Sequence, residues 1–435
     1  MGADVERIEM VVVGGGLAGL ACAREAAAAG MSVLVIERGD HPGAKNVTGG
    51  RLYMDPIRSI LPEGFWEGAP LERPVTRETI TLAGRESSVD VSFTGESRRR
   101  DQPRSHTVLR SRLDRWMAGK AEEAGATIVP QTVVTGLLRE GGRVVGVKAG
   151  DEDITADVVV AADGALSFLG REAGLLPRIG PGGHALGIKE VVALGAGRIE
   201  DRFALLPGEG CARLFVGAVT SGLPGGAFLY TNRESVSIGI VIGLEAVAGR
   251  PEKAQGTHEI LDAFKARPEV RPLLEGGETV EYSAHAIPEL PARDMPRRVA
   301  AGLILAGDAA GMVLNHGVTV RGMDLAIASG VMAARACAAA KKRGDWSEAS
   351  LSAYDDLLAG CFAGRDLARH PHSHSFLGRE RLYGLYPEAI CGIAEKVFEV
   401  GPDGKERIWP EAAAIARKAF LGWDGIRDLL EARKL

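Results

Sequence analysis

Gly14, Gly16 and Gly19 are spaced Gly-x-Gly-x-x-Gly, directly after an apolar run at residues 9–13 and directly before an alanine-rich stretch. Glycine at these places lets a chain leave a strand in a tight turn. It then brings a pyrophosphate onto the free N–H groups at the positive end of the next helix, where Leu17 and Ala18 lie. Glu37 ends a second apolar run at 32–36, with Arg38 beside it. A carboxylate there accepts hydrogen bonds from ribose hydroxyls. With strand, turn, helix and acid in register, the chemistry is dinucleotide binding rather than a bare glycine-rich loop. A second set follows the short apolar run 303–306: Gly307-Asp308, then Gly311, Gly317 and Gly322. The Asp308 carboxylate suits a ribityl chain, and the glycines let backbone approach an isoalloxazine, so the dinucleotide is FAD. A helix expected to start at 317–319, with Gly317 and Thr319 at its head, would point its positive end at flavin N1 and C2=O. That field is worth about 1–2 kcal/mol, and ~30 mV corresponds to ~1.4 kcal/mol for two electrons, so it tunes the potential only modestly. Gly180-Pro181-Gly182-Gly183 imitates the first fingerprint. Pro181 and a short strand after it offer no helix end, so it reads as a loop, and a separate NADH domain lacks its signature.

The elements that position these residues follow from periodicity. Residues 9–13, 18–29 and 32–36 read as strand, helix and strand, the first βαβ unit of a parallel sheet. Residues 110–125 read as an amphipathic helix with Leu113, Trp116, Met117 and Ala121 on one face. A hairpin is expected at 133–138 and 143–148, which contains Val134. A buried strand at 157–161 ends at the turn Asp163-Gly164. From 186 to 284 the texture becomes β-rich, with one helix near 258–266, and after Trp346 it is helical. The fold class is therefore α/β. A discontinuous FAD-binding Rossmann-like domain of the glutathione-reductase/hydroxylase type is expected over 1–75, 105–185 and 285–345. A β-rich domain is inserted at 76–104 and 186–284, and a helical region closes the chain at 346–435.

Composition narrows the function class. A chain of 435 residues with 46% hydrophobic and 25% charged residues is core-forming and large enough for two or three domains. The net charge of -5 gives no basic field for nucleic acid. The five cysteines, Cys22, Cys211, Cys337, Cys361 and Cys391, are scattered and odd in number, so neither a disulfide framework nor an iron-sulfur or zinc cluster is expected. Asp4 and Glu6 stand where a signal peptide would be basic and then apolar, which reads as cytoplasmic. The uncharged run 214–232 is broken by Gly222, Pro224, Gly225 and Gly226, against a membrane span but not against a peripheral contact.

The segments 306–311, 315–322 and 326–330 resemble the flavin-closing part of the electron-transfer flavoprotein:quinone oxidoreductase family. Lys45-Asn46-Val47-Thr48-Gly49-Gly50-Arg51-Leu52-Tyr53 most resembles its FixC-type branch. Similar too are 225–230, 268–277 and 282–287, so the resemblance covers most of the chain up to about residue 345. It implies one FAD, electrons received from the alpha and beta subunits of an electron-transfer flavoprotein, and delivery to membrane quinone. It also implies that Arg110 meets the pyrophosphate, that Gly49 and Gly50 border the ribityl chain and ring with Asp308, that Lys45 and Asn46 bind the cofactor, and that Gly225-Gly226 lies against the quinone head group in the β-rich domain. Long members of the family carry a four-cysteine ferredoxin-like domain; here a separate small ferredoxin-like iron-sulfur subunit is expected in its place, and a cytoplasmic location with peripheral membrane contact.

Blander readings compete at several places. His370, His372 and His374 lack a carboxylate or cysteine partner in sequence and read as a polar surface turn rather than a metal site. Cys211 and Cys391 read as small buried hydrophobes. Phe65, Trp66, Leu205, Leu206 and Leu223 are either core or a membrane-docking patch. Among functions, the rivals are a geranylgeranyl-reductase-like enzyme and a scaffold subunit whose FAD is structural.

Overall fold

The computed structural model describes residues 8–45, 50–95, 103–176, 180–251, 255–402, 404–405 and 407–433. Its first sheet runs in the order Val299–Ala300, Leu303–Leu305, Val158–Ala161, Met10–Val13, Val33–Ile36, Thr127–Val129. All neighbours are parallel except the first pair. A parallel sheet covered on both faces must be apolar along its whole length. Met10–Val13 and Val158–Ala161 are accordingly buried at every residue.

The Leu17–Ala28 helix packs against the Met323–Arg343 and Arg110–Glu123 helices. A Cβ on Gly330 would fall 2.0 Å from the Ala18 carbonyl oxygen, so this helix pair is spaced by a residue with no side chain. Met323–Arg343 is long and apolar enough by composition to cross a bilayer, but it is mostly buried among core side chains. Its apolar surface is the protein's own interior.

The second sheet has nine strands, in the order Glu278–Pro288, His184–Ala193, Ser235–Gly243, Gly225–Thr231, Gly210–Gly217, Leu71–Ala83, Ser105–Val108, Gly50–Tyr53, with Ser88–Thr94 paired to Leu71–Ala83. Gly210–Gly217 and Leu71–Ala83 run parallel, and the other pairs are antiparallel. Helices Ala196–Phe203 and Thr257–Lys265 cover it through Ile199, Phe203, Ile260 and Phe264, a core separate from that of the first sheet. Gly50–Tyr53 and Ser105–Val108, grouped by sequence with the nucleotide-binding half, complete this larger sheet.

Past Trp346 the longer elements are helices, among them Leu385–Phe398, Ile408–Phe420 and Trp423–Ala432. Two expectations change. The helix expected at 317–319 begins at Met323, because Leu314–Asn315 and Val320–Arg321 pair as a short hairpin around Gly317 at φ 81°. Trp66 stacks with Trp116 and Phe65 meets both edge-on, and of the suggested docking patch only Leu206 is strongly exposed.

Candidate functional site

A cavity of about 1490 Å³ lies between the two sheets. Ordinary ligand pockets span ~300–1,000 Å³, so this one has room for a dinucleotide and a second molecule. Gly14 holds φ 107°, and a Cβ there would sit 2.3 Å from the Ala162 carbonyl oxygen, which only glycine avoids. The helix it leads into has Gly16 as its N-cap, no capping side chain and no acid in its first turn. Its first N–H groups therefore remain for an anionic ligand. Gly16, Leu17 and Ala18 line the cavity. Gly19 does not; its hydrogen faces Gly14, where a Cβ would lie 2.0 Å from the carbonyl oxygen, so it serves close packing of helix on strand.

Glu37, Arg38, Lys45, Gly50, Arg110, Val134, Asp163 and Gly164 line the same space. Glu37 accepts from the Gly15 N–H at 2.7 Å and the Gly39 N–H at 2.6 Å. A carboxylate has further lone pairs for ribose hydroxyls. Arg110 is held by Asp114 through Nε at 2.7 Å and Nη2 at 2.8 Å, which leaves Nη1 outside the pair. The Asp163 carboxylate is given to the short helix Phe168–Glu172: it accepts from Ser167 Oγ at 2.8 Å and the Leu169 N–H at 3.1 Å. Asn46 and Gly49 lie outside the described residues.

Across the cavity, Gly307, Asp308 and Gly317 line the wall, while Thr319 does not. The Gly307 N–H donates to Ser329 Oγ at 2.8 Å, which ties this turn to the long core helix. That helix presents its N-terminus to the cavity at Gly322 and Met323. Asp324 in its first turn binds Arg321 Nε at 2.9 Å, so a local acid and base temper the helix field.

His285 and Lys189 are titratable lining residues that the sequence reading did not single out. Gly187 pairs with His285 across adjacent strands, and Lys189 projects from the same face two residues on. Burial, and after it Arg110, pushes the Lys189 ammonium down to about 7 against the pull of Glu281. Burial raises the Asp308 carboxyl, opposed by His285 and Arg110. Burial lowers the His285 imidazole, opposed by Asp308 and assisted by Arg110 and Arg38. Basic side chains around one buried acid suit a ligand with both phosphates and hydroxyls. A lysine inside an apolar strand was the available signal.

Gly225 and Gly226 also line the cavity. The sheet supplies a reason of its own for them, since a Cβ at 225 would lie 2.1 Å from the Val241 carbonyl oxygen and one at 226 would lie 2.8 Å from that of Phe215. A bulky residue there would disturb strand spacing before it tested any ligand. The histidine loop divides: His372 is exposed, whereas His370 and His374 reach the cavity because the Phe362–Arg369 helix ends against it. All five cysteines are free and buried.

Two family models, each described as FAD dependent oxidoreductase, match residues 9–182 and 102–336. The chain is 44% identical over 400 residues, 92% of each protein, to the Escherichia coli K12 protein named "Probable electron transfer flavoprotein-quinone oxidoreductase YdiS". It is 41% identical over 399 residues, again 92% of each, to Protein FixC of Escherichia coli K12. Among solved structures, a geranylgeranyl bacteriochlorophyll reductase-like protein of Thermoplasma acidophilum superposes with a TM-score of 0.71 at 22% identity over 98% of both chains, a likeness of fold. An uncapped helix end, a glycine cradle and a buried acid in one cavity fit FAD, and with relatives this similar over nine-tenths of its length the chain is an FAD-dependent oxidoreductase that belongs to the electron-transfer flavoprotein:quinone oxidoreductase family, FixC type.

Proposed function

We propose that this protein takes electrons from the alpha and beta subunits of an electron-transfer flavoprotein and delivers them to a membrane quinone, in a complex with a small ferredoxin-like iron-sulfur subunit. The supporting observation is that one cavity runs from the glycine cradle to the Gly225–Thr231 strand, so a flavin and an apolar acceptor fit in one space. Bound FAD supplies storage for two electrons between donor and acceptor. On this reading the chain's own residues do three things. The N–H groups at 16–18 and Nη1 of Arg110 hold phosphate, Glu37 and Asp308 hold hydroxyls, and the nine-stranded sheet presents an apolar quinone-binding wall through Ile188, Leu214, Val216 and Phe228.

The reading includes a peripheral membrane contact on the cytoplasmic face, supported by the C-terminal helices, where Trp409, Leu421, Trp423, Leu429 and Leu430 are exposed among Arg407, Arg417, Lys418 and Arg427. Exposed tryptophans flanked by basic residues suit an anionic bilayer interface. The test is a pair of half-reactions under anaerobic stopped flow. The flavin should bleach with reduced electron-transfer flavoprotein and recover its colour with duroquinone. No bleaching overturns the donor assignment, and bleaching without recovery overturns the quinone assignment.

A further inference from the structure

His316 and His370 come from distant segments and meet with ring centroids 4.1 Å apart and planes tilted by 56°. His316 sits in the turn of the 314–321 hairpin, and His370 caps the Phe362–Arg369 helix. Both line the cavity, as does Ser373, whose residue is 4% exposed. His316 Nε2, His370 Nδ1 and Ser373 Oγ are all buried and all lack a hydrogen-bonding partner. Three unpaired polar atoms in one buried wall are a standing cost unless a ligand meets them.

The charged neighbours do not meet them. Arg321 is committed to Asp324 and, at 2.6 Å, to Asp366. Asp366 also takes Arg369 at 3.5 Å. A metal is not indicated, since among the described residues no three His, Cys, Asp or Glu side chains gather in a binding set. Burial, then His370 and Arg321, lowers the His316 imidazole, which favours the neutral ring with one donor and one acceptor. Around the pair, Leu367, Phe376, Leu377 and Leu382 make the wall apolar. These atoms call for a hydrogen-bonding oxygen, and the wall around them for an otherwise apolar body.

We propose that His316, His370 and Ser373 form a subsite that hydrogen-bonds a carbonyl oxygen of a quinone. With the rings this close, one carbonyl oxygen, which has two lone pairs, can accept from both imidazoles. The subsite rests on the quinone reading above and adds to it the residues that would select a quinone over a hydrocarbon of the same outline.

Equilibrium dialysis of the oxidised, FAD-loaded protein against duroquinone and against durene, the same ring without carbonyls, tests it. His370→Phe keeps the ring contact and removes both nitrogens; Ser373→Ala removes the hydroxyl. His370→Phe should weaken duroquinone binding about three- to tenfold, as expected for one hydrogen bond, Ser373→Ala by no more than that, and His316→Phe with His370→Phe more than about tenfold. Durene binding and flavin content should not fall. Unchanged duroquinone binding in the double variant overturns the subsite. Loss of FAD affinity with quinone binding preserved also overturns it, because the orphaned atoms would then serve the flavin carbonyls. If the wild-type protein binds no duroquinone, the quinone reading itself fails.

Discussion

The Leu17–Ala28 and Met323–Arg343 helices meet through Ala18 and Gly330 with no room for a methyl group, whereas the C-terminal helices leave Phe398 83%, Trp409 83% and Trp423 91% exposed. In the first region small residues spend all their surface on each other, and the reward is a fixed turn at Gly307 beside the cavity. In the second, large apolar side chains add nothing to the protein's own packing. Large apolar side chains left to solvent in this way are available for contact with something else. The difference separates side chains that make the fold from side chains that use it.

The sharpest way to break this contrast is Gly330→Val. Its side chain would press on the Ala18 backbone, which cannot swing aside, so a loss above ~3 kcal/mol is expected with loss of bound flavin. A yellow variant with wild-type thermal stability would show the helix pair to be compliant. Next in size is Ser329→Ala, which leaves the buried Gly307 N–H without its acceptor. Denaturant unfolding should register ~1–3 kcal/mol, and no change would mean that another acceptor replaces Ser329.

A smaller effect enters through the large sheet. Burial, then Arg58 and Arg233, pushes His106 down to about 4. Above pH 6.5 the ring is neutral folded or unfolded. Between 6.5 and 4 only the unfolded chain takes up the proton, so stability falls as pH drops, by at most ~1.4 kcal/mol per pH unit for one group. His106→Gln should flatten that stretch of the pH–stability curve, and an unaltered slope would assign the acid sensitivity elsewhere. Smallest on stability is the pair Trp409→Glu and Trp423→Glu, expected within about 0.5 kcal/mol of wild type. Co-sedimentation with anionic vesicles should nonetheless fall about tenfold, because a buried large apolar side chain is worth ~1.5–3 kcal/mol. A large drop in melting temperature would place these tryptophans inside a contact of the fold.

What was legible in the sequence was whatever local spacing dictates. The strands around Gly14 to Gly19, the helix from Arg110 and the turn at Gly307-Asp308 all carry their reason within a few residues. The start of the long core helix was not legible, because its delay to Met323 depends on pairing between 314–315 and 320–321, a contact too short to leave a period. The partners of Lys189 and His285, and the meeting of His316 with His370, were hidden for another reason. Their neighbours come from strands and helices far away in the chain, and a lysine or histidine in isolation does not announce which face it will share.

Glu37 has a wider consequence. Its two oxygens hold the N–H groups of Gly15 and Gly39, so the side chain assigned to the ribose is also a brace across the loop that shapes the phosphate cradle. Much of the ordering of that loop is therefore done when the chain folds, before any ligand arrives, and association need not supply it. The same brace restricts inheritance. A descendant that exchanged Glu37 for a smaller or neutral residue, to accept a nucleotide with a phosphate on its ribose, would loosen the cradle in the same step and would need a compensating strut elsewhere.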